Sequence, residues 1–147
     1  MFVEQRFYDY GGDPPIQGKH VMQEAFRALI DTYCGTLARQ LEEIGSHLDD
    51  ARSGSGDRRH ALAGALDLSH QIAGLSGTMG FSDIGTAAAQ LEALLMKANK
   101  GPGPSSPDDI RLISDLFETL NQTACDVKPE QSTLYNVDFS HLAKGFG

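Results

Sequence analysis

Four stretches of this sequence set apolar residues three or four positions apart, and glycine, proline or serine interrupts the pattern between them. That spacing gives each stretch one apolar stripe and dictates a fold of packed helices. In the first, Phe26, Ile30, Tyr33, Leu37, Leu41, Ile44 and Leu48 form the stripe, with Arg27, Asp31, Arg39, Glu42 and Glu43 opposite. The pattern begins at Met22 and ends near Arg52, where Ser53-Gly54-Ser55-Gly56 stops it. Asp57 is placed to cap the second helix by accepting a free backbone N–H, and its expected stripe is Ala61, Ala65, Leu68, Ile72, Leu75 and Met79. Met79-Gly80-Phe81 ends that helix, and Ser82 is the expected cap of a third, lined by Phe81, Ile84, Ala88, Leu91 and Leu95. Lys97 and Lys100 place positive charge at its negative dipole end.

After the Gly101-Pro102-Gly103-Pro104 loop, Ser106-Pro107-Asp108-Asp109 offers a capping serine, a first-turn proline and acids for the positive dipole end. Ile110, Ile113, Leu116, Phe117, Leu120 and Ala124 form the fourth stripe, which Pro129 is expected to close. Short connections and no strand-like segment predict an all-α, antiparallel up-down four-helix bundle. The expected division is an N-terminal extension over 1–20, the bundle over 21–128 and a C-terminal extension over 129–147. Gly11-Gly12-Asp13-Pro14-Pro15 is expected to break regular structure. Seven of eleven aromatics (Phe2, Phe7, Tyr8, Tyr10, Tyr135, Phe139 and Phe146) fall in the two extensions. That is too many for tails that pack on nothing. They could cover the bundle, one another or a second subunit, so monomer and dimer both stay open.

Composition narrows the partners. A net charge of −8 argues against nucleic acid, because phosphate backbones need clustered lysine and arginine. No run of apolar residues is long enough to cross a membrane, and the N-terminus lacks the basic start and apolar stretch of an export signal. Cys34 and Cys125 lie far apart without metal or redox spacing, which suggests a cytoplasmic chain with two packed thiols.

One segment departs from the packing logic. Ser69-His70-Gln71-Ile72-Ala73-Gly74-Leu75-Ser76-Gly77 reads as helix yet carries two glycines, each costing about 1 kcal/mol relative to alanine. At about 100° per residue, His70 falls roughly 180° from the expected stripe, with Ala63, Leu66, Gly74 and Gly77 within about 40° of it. The histidine is therefore expected to face solvent on a surface of small residues and one exposed leucine. Metal ligation lacks a second ligand at position 73 or 74, and His20, His47, His60 and His141 form no spacing motif. A serine–histidine–acid triad needs a pocket that a slim bundle does not offer. An exposed imidazole on a cleared face suits nucleophilic attack on a phosphoryl group held by another protein.

From His70 through Gly74, Gly77 and Gly80-Phe81, the segment resembles the histidine-containing phosphotransfer (HPt) domain family, and its Gly-Thr-Met-Gly-Phe-Ser ending is similar to the phosphotransfer domain of the chemotaxis histidine kinase. The resemblance covers about residues 22–128. It implies that His70 is a phosphoacceptor at Nε2, that Gly74 gives clearance, and that Glu92 hydrogen-bonds the other ring nitrogen. It also implies a free-standing phosphorelay carrier without kinase activity or a cofactor of its own. Response-regulator receiver domains and a hybrid histidine kinase would be its partners, with magnesium held in the receiver. Leu66, Gly74 and Gly77 would line the partner-binding patch. The family's lysine three residues after the histidine is Ala73 here. That departure leaves a second reading, a degenerate HPt domain that docks a receiver without carrying phosphate. A third, an unrelated structural or dimerising bundle, would leave the glycine-lined histidine unexplained.

Overall fold

The computed structural model describes residues 14–54, 57–100 and 107–137, with side chains from residue 21 onward. In chain order it contains α1 (Pro14–Ser53), α2 (Arg58–Thr78), α3 (Ser82–Lys100), α4 (Pro107–Ala124) and a short 3₁₀ helix (Pro129–Gln131). These four helices form the all-α bundle that the periodicity predicts. Helix α2 packs on α1 and most extensively on α3, and α3 packs on α4; α1 and α4 touch only slightly. No described helix is long and apolar enough to cross a membrane.

The first, third and fourth stripes bury largely as spaced. Ile30, Tyr33, Leu37, Leu41, Ile44 and Leu48 are core residues, as are Phe81, Ile84, Ala88, Leu91 and Leu95. On α4, Ile113, Leu120 and Ala124 are buried, while Ile110, Leu116 and Phe117 pack half-buried against them. Phe26 is half-buried.

Helix α2 corrects the expected phase. Its buried residues are Ala61, Leu62, Ala65, Ser69, Ile72 and Ser76. Leu68 and Met79 are only half-buried, and Leu75 is 40 % exposed. The core direction thus lies about 50° round the helix from the stripe of apolar residues alone. Two serines make this possible by bonding their hydroxyls inside the helix. Ser69 Oγ donates to the Ala65 carbonyl at 2.8 Å, and Ser76 Oγ donates to the Ile72 carbonyl at 2.6 Å. With its own proton committed, Ser76 Oγ accepts from the Tyr33 hydroxyl, which joins α1 to α2 inside the core. Tyr33 also stacks on Phe81, with ring centroids 5.5 Å apart. A serine that satisfies its hydroxyl within the core reads as core even though hydropathy marks it as surface.

Helix ends differ from expectation in three places. Pro14 and Pro15 open α1 instead of interrupting the chain, because first-turn residues need no N–H partner. Asp57 caps α2 as expected, its carboxylate accepting from Arg59 N–H at 3.0 Å. The residue in the capping position of α3 is Phe81, whose carbonyl accepts from Gly85 N–H at 3.1 Å, and Ser82 already belongs to the first turn. Helix α4 ends at Ala124, and Pro129 starts the 3₁₀ helix that follows. The expected Ser106 cap and the remaining aromatics of both tails lie outside the described residues.

Tyr135 is the one tail aromatic that is described, and it packs on the bundle. Residues 125–137 form a strap across one end of it. Ser132 Oγ donates to the Met79 carbonyl at 2.6 Å, and Thr133 N–H donates to the Gly80 carbonyl at 3.1 Å. Gly80 has φ +86°, and an added Cβ would collide with Ser132 Oγ and sit 2.9 Å from Thr133 N. Further along, Arg27 donates from Nε to the Tyr135 carbonyl at 3.0 Å and from Nη2 to Asn136 Oδ1 at 2.9 Å. Its guanidinium lies 4.4 Å from the centre of the Tyr135 ring.

Candidate functional site

The roll of α2 decides what its outer surface shows. The buried residues of α2, Ser69 and Ile72 among them, centre about 130° round the helix from His70, which stands outward with 72 % of its side chain exposed. Its Nδ1 lies 2.5 Å from Oε2 of Glu92 on α3. An ionised carboxylate only accepts, so Nδ1 carries the proton and Nε2 keeps its lone pair toward solvent. The Glu92 side chain is just 18 % exposed, so this bond is less screened by water than a surface pair. The result is a sheltered acid holding an open imidazole in one tautomer.

Around the imidazole the surface is low. Gly74 and Gly77 are exposed, and a Cβ added at either would meet nothing within 4 Å. Neither glycine is therefore required by packing among the described residues. Leu66 is half-buried against the core and not the exposed leucine expected, a consequence of the shifted phase. Ala73 is also half-buried. On the other flank of His70, Gln71 Oε1 accepts from Gln40 Nε2 at 3.1 Å, and Gln71 Nε2 donates to Asp67 Oδ2 at 3.2 Å.

Helix α3 adds residues that the sequence reading missed. Gly85, Ala89 and Met96 share the face of Glu92 by helical spacing. Ala89 is exposed, Gly85 half-buried, and Met96 is 39 % exposed. The same three-and-four rule applied outward from Glu92 finds them. Ala89 keeps the α3 surface low, Gly85 lets α3 lie close against α2 at Gly77, and Met96 supplies one large apolar contact.

The other candidate groups lie apart from this face. The His47 ring packs against Gly64, where an added Cβ would come within 2.7 Å of Cε1. Cys34 is half-buried and Cys125 exposed, so the second thiol is not packed as expected; both are free. They line one groove of about 550 Å³ between α1 and α4, walled by Leu37, Leu41, Phe117 and Val127. Burial, with the nearby carboxylates of Asp31 and Glu130, pushes the Cys34 thiol above its ordinary range. Among the described residues, no group of three or more His, Cys, Asp or Glu is gathered to hold a metal ion.

Chemically, the arrangement offers an accessible nitrogen nucleophile, a fixed tautomer and a surface open to close approach by another macromolecule. A family model described as Hpt domain matches residues 28–123. No curated protein and no solved structure matches significantly.

Proposed function

The chain belongs to the Hpt domain family, and on that premise we propose that His70 carries the phosphoryl group in phosphorelay histidine phosphotransfer. The observation that carries this reading is the 2.5 Å bond from Nδ1 to Glu92, with Nε2 open on a glycine-cleared face. The donor is the acyl phosphate of a receiver-domain aspartate. The Nε2 lone pair attacks phosphorus, the phosphorus–oxygen bond to the aspartate breaks, and a free carboxylate leaves. The ring becomes a cation whose Nδ1 keeps its proton and donates it in a hydrogen bond to Glu92, and the carboxylate stabilises that charge as it develops. Reversal onto a second receiver passes the group on.

The chain supplies the nucleophile and its orientation; the receiver supplies the magnesium ion and the electrostatics of transfer. Leu66, Gly74, Gly77 and Met96 form the contact patch. A hybrid histidine kinase feeds the relay upstream. Ala73 favours one rival, a domain that docks receivers without accepting phosphate.

The test is to mix the protein with phosphorylated receivers and follow label. This reading expects label that is lost in acid, kept in base and absent from His70→Gln. Binding without label would support the docking-only rival, and label persisting in His70→Gln would remove His70 from the reaction.

A further inference from the structure

A helical side chain has its nearest neighbours three and four positions away, at about 5–6 Å between Cβ atoms. For His70 these are Leu66, Asp67, Ala73 and Gly74: one apolar residue, one acid and two small residues. The cation deficit reaches well beyond these positions. From His60 to Met96, through most of α2 and α3, there is no lysine or arginine but three carboxylates, Asp67, Asp83 and Glu92. Among the described residues, α1 reaches this flank with the neutral amide of Gln40, which donates to Gln71. Gln71 also holds the Asp67 carboxylate at 3.2 Å, which keeps that acid in place.

A phosphoryl group brings close to two negative charges at neutral pH. Glu92 sits on the Nδ1 side of the ring, where it balances the positive imidazole. Asp67 has no such counterpart and only repels the phosphoryl oxygens, and no side chain at position 73 offsets it. We infer that this face is built to give up a phosphoryl group and not to store it, and that the surface docking there is a protein surface rimmed with lysine or arginine. The inference rests on His70 being the phosphoacceptor and adds a direction and a partner charge to that reading. In the favoured step the phosphorus–Nε2 bond breaks and a bond to the partner's carboxylate oxygen forms. The imidazole recovers its lone pair while Nδ1 keeps its proton. Charge complementarity selects the partner: an acidic rim repels acidic surfaces and attracts basic ones over a Debye length of about 8 Å at physiological salt.

The experiment needs no partner. The full chain is equilibrated with N-phosphoimidazole and excess imidazole, an imidazole-for-imidazole exchange that leaves reagent charge balanced. The ratio of phospho-His70 to His70 is read by phosphorus NMR with peptide mapping. Asp67→Asn, which keeps an acceptor for Gln71, and Ala73→Lys are each expected to raise that ratio about fivefold at low salt. The gain should shrink below about twofold at 1 M salt, where screening acts over about 3 Å. An unchanged ratio in folded Asp67→Asn and Ala73→Lys would overturn the inference. Failure of the phosphoacceptor reading shows separately, as His70 taking no label from phosphorylated receivers, because chemical exchange at an exposed imidazole does not depend on that reading.

Discussion

On the proposed function, the reactivity of His70 depends on Glu92, whose carboxylate accepts from Nδ1–H and never touches the phosphoryl group. Glu92→Gln is expected to slow phosphorylation about tenfold or more, the worth of one charge-assisted hydrogen bond, with the fold unchanged. Nitrogen NMR of the ring reads the cause directly: the native protein shows the Nδ1–H tautomer, and Glu92→Ala shows a mixture. A second residue-scale expectation concerns Tyr33, 3 % exposed, whose hydroxyl burial pushes above its ordinary pKa of 10.0. The folded state therefore resists losing that proton more than the unfolded chain does. This stabilisation is complete below about pH 10 and fades as pH rises through the folded value. Tyr33→Phe should lose about 1 kcal/mol at neutral pH, from the hydrogen bond that the Tyr33 hydroxyl makes to Ser76 Oγ, and show a shallower alkaline fall in urea titrations. The outward position of His70 was legible from helical phase, and the bond to Glu92 from the family resemblance alone. Ser69 and Ser76 were not, because hydropathy takes no account of a hydroxyl whose bond is made inside its own helix.

At the scale of elements, α2 carries two kinds of glycine that substitution separates. Gly74 lies in helical backbone with open space where a Cβ would go. Gly74→Ala should stabilise the protein by up to about 1 kcal/mol in thermal unfolding, while weakening receiver binding measured by calorimetry. Opposite signs in the two measurements are what a cleared docking face requires. Gly80 differs, with φ +86° and the strap packed against it. Gly80→Ala should cost about 2 kcal/mol or more in the same unfolding experiment. Apolar spacing located the helices well, since α1, α3 and α4 bury the residues whose period announced them. It failed at their ends, where Pro14, Phe81 and Ala124 set the boundaries through backbone bonds that side-chain hydropathy does not report.

Across the whole molecule, the strap over residues 125–137, which lies beyond the family match, ties three elements together. It runs from the end of α4 over the α2–α3 turn to Arg27, and that match covers only residues 28–123. Truncation after Ala124 removes the contacts of Val127, Leu134 and Tyr135 with the core and should cost about 3 kcal/mol in urea unfolding. The strap closes one end of the bundle, and the proposed phosphoacceptor face lies further along α2 and α3, clear of the strap. That division between a tied end and a bare flank explains how a small bundle can be stable and still present an unobstructed nucleophile. The most direct measurement is phosphorus–nitrogen coupling by NMR on the protein after incubation with phosphorylated receiver. Phosphorus coupled to Nε2 of His70 is the predicted result; phosphorus on Nδ1 or on any other residue would contradict it.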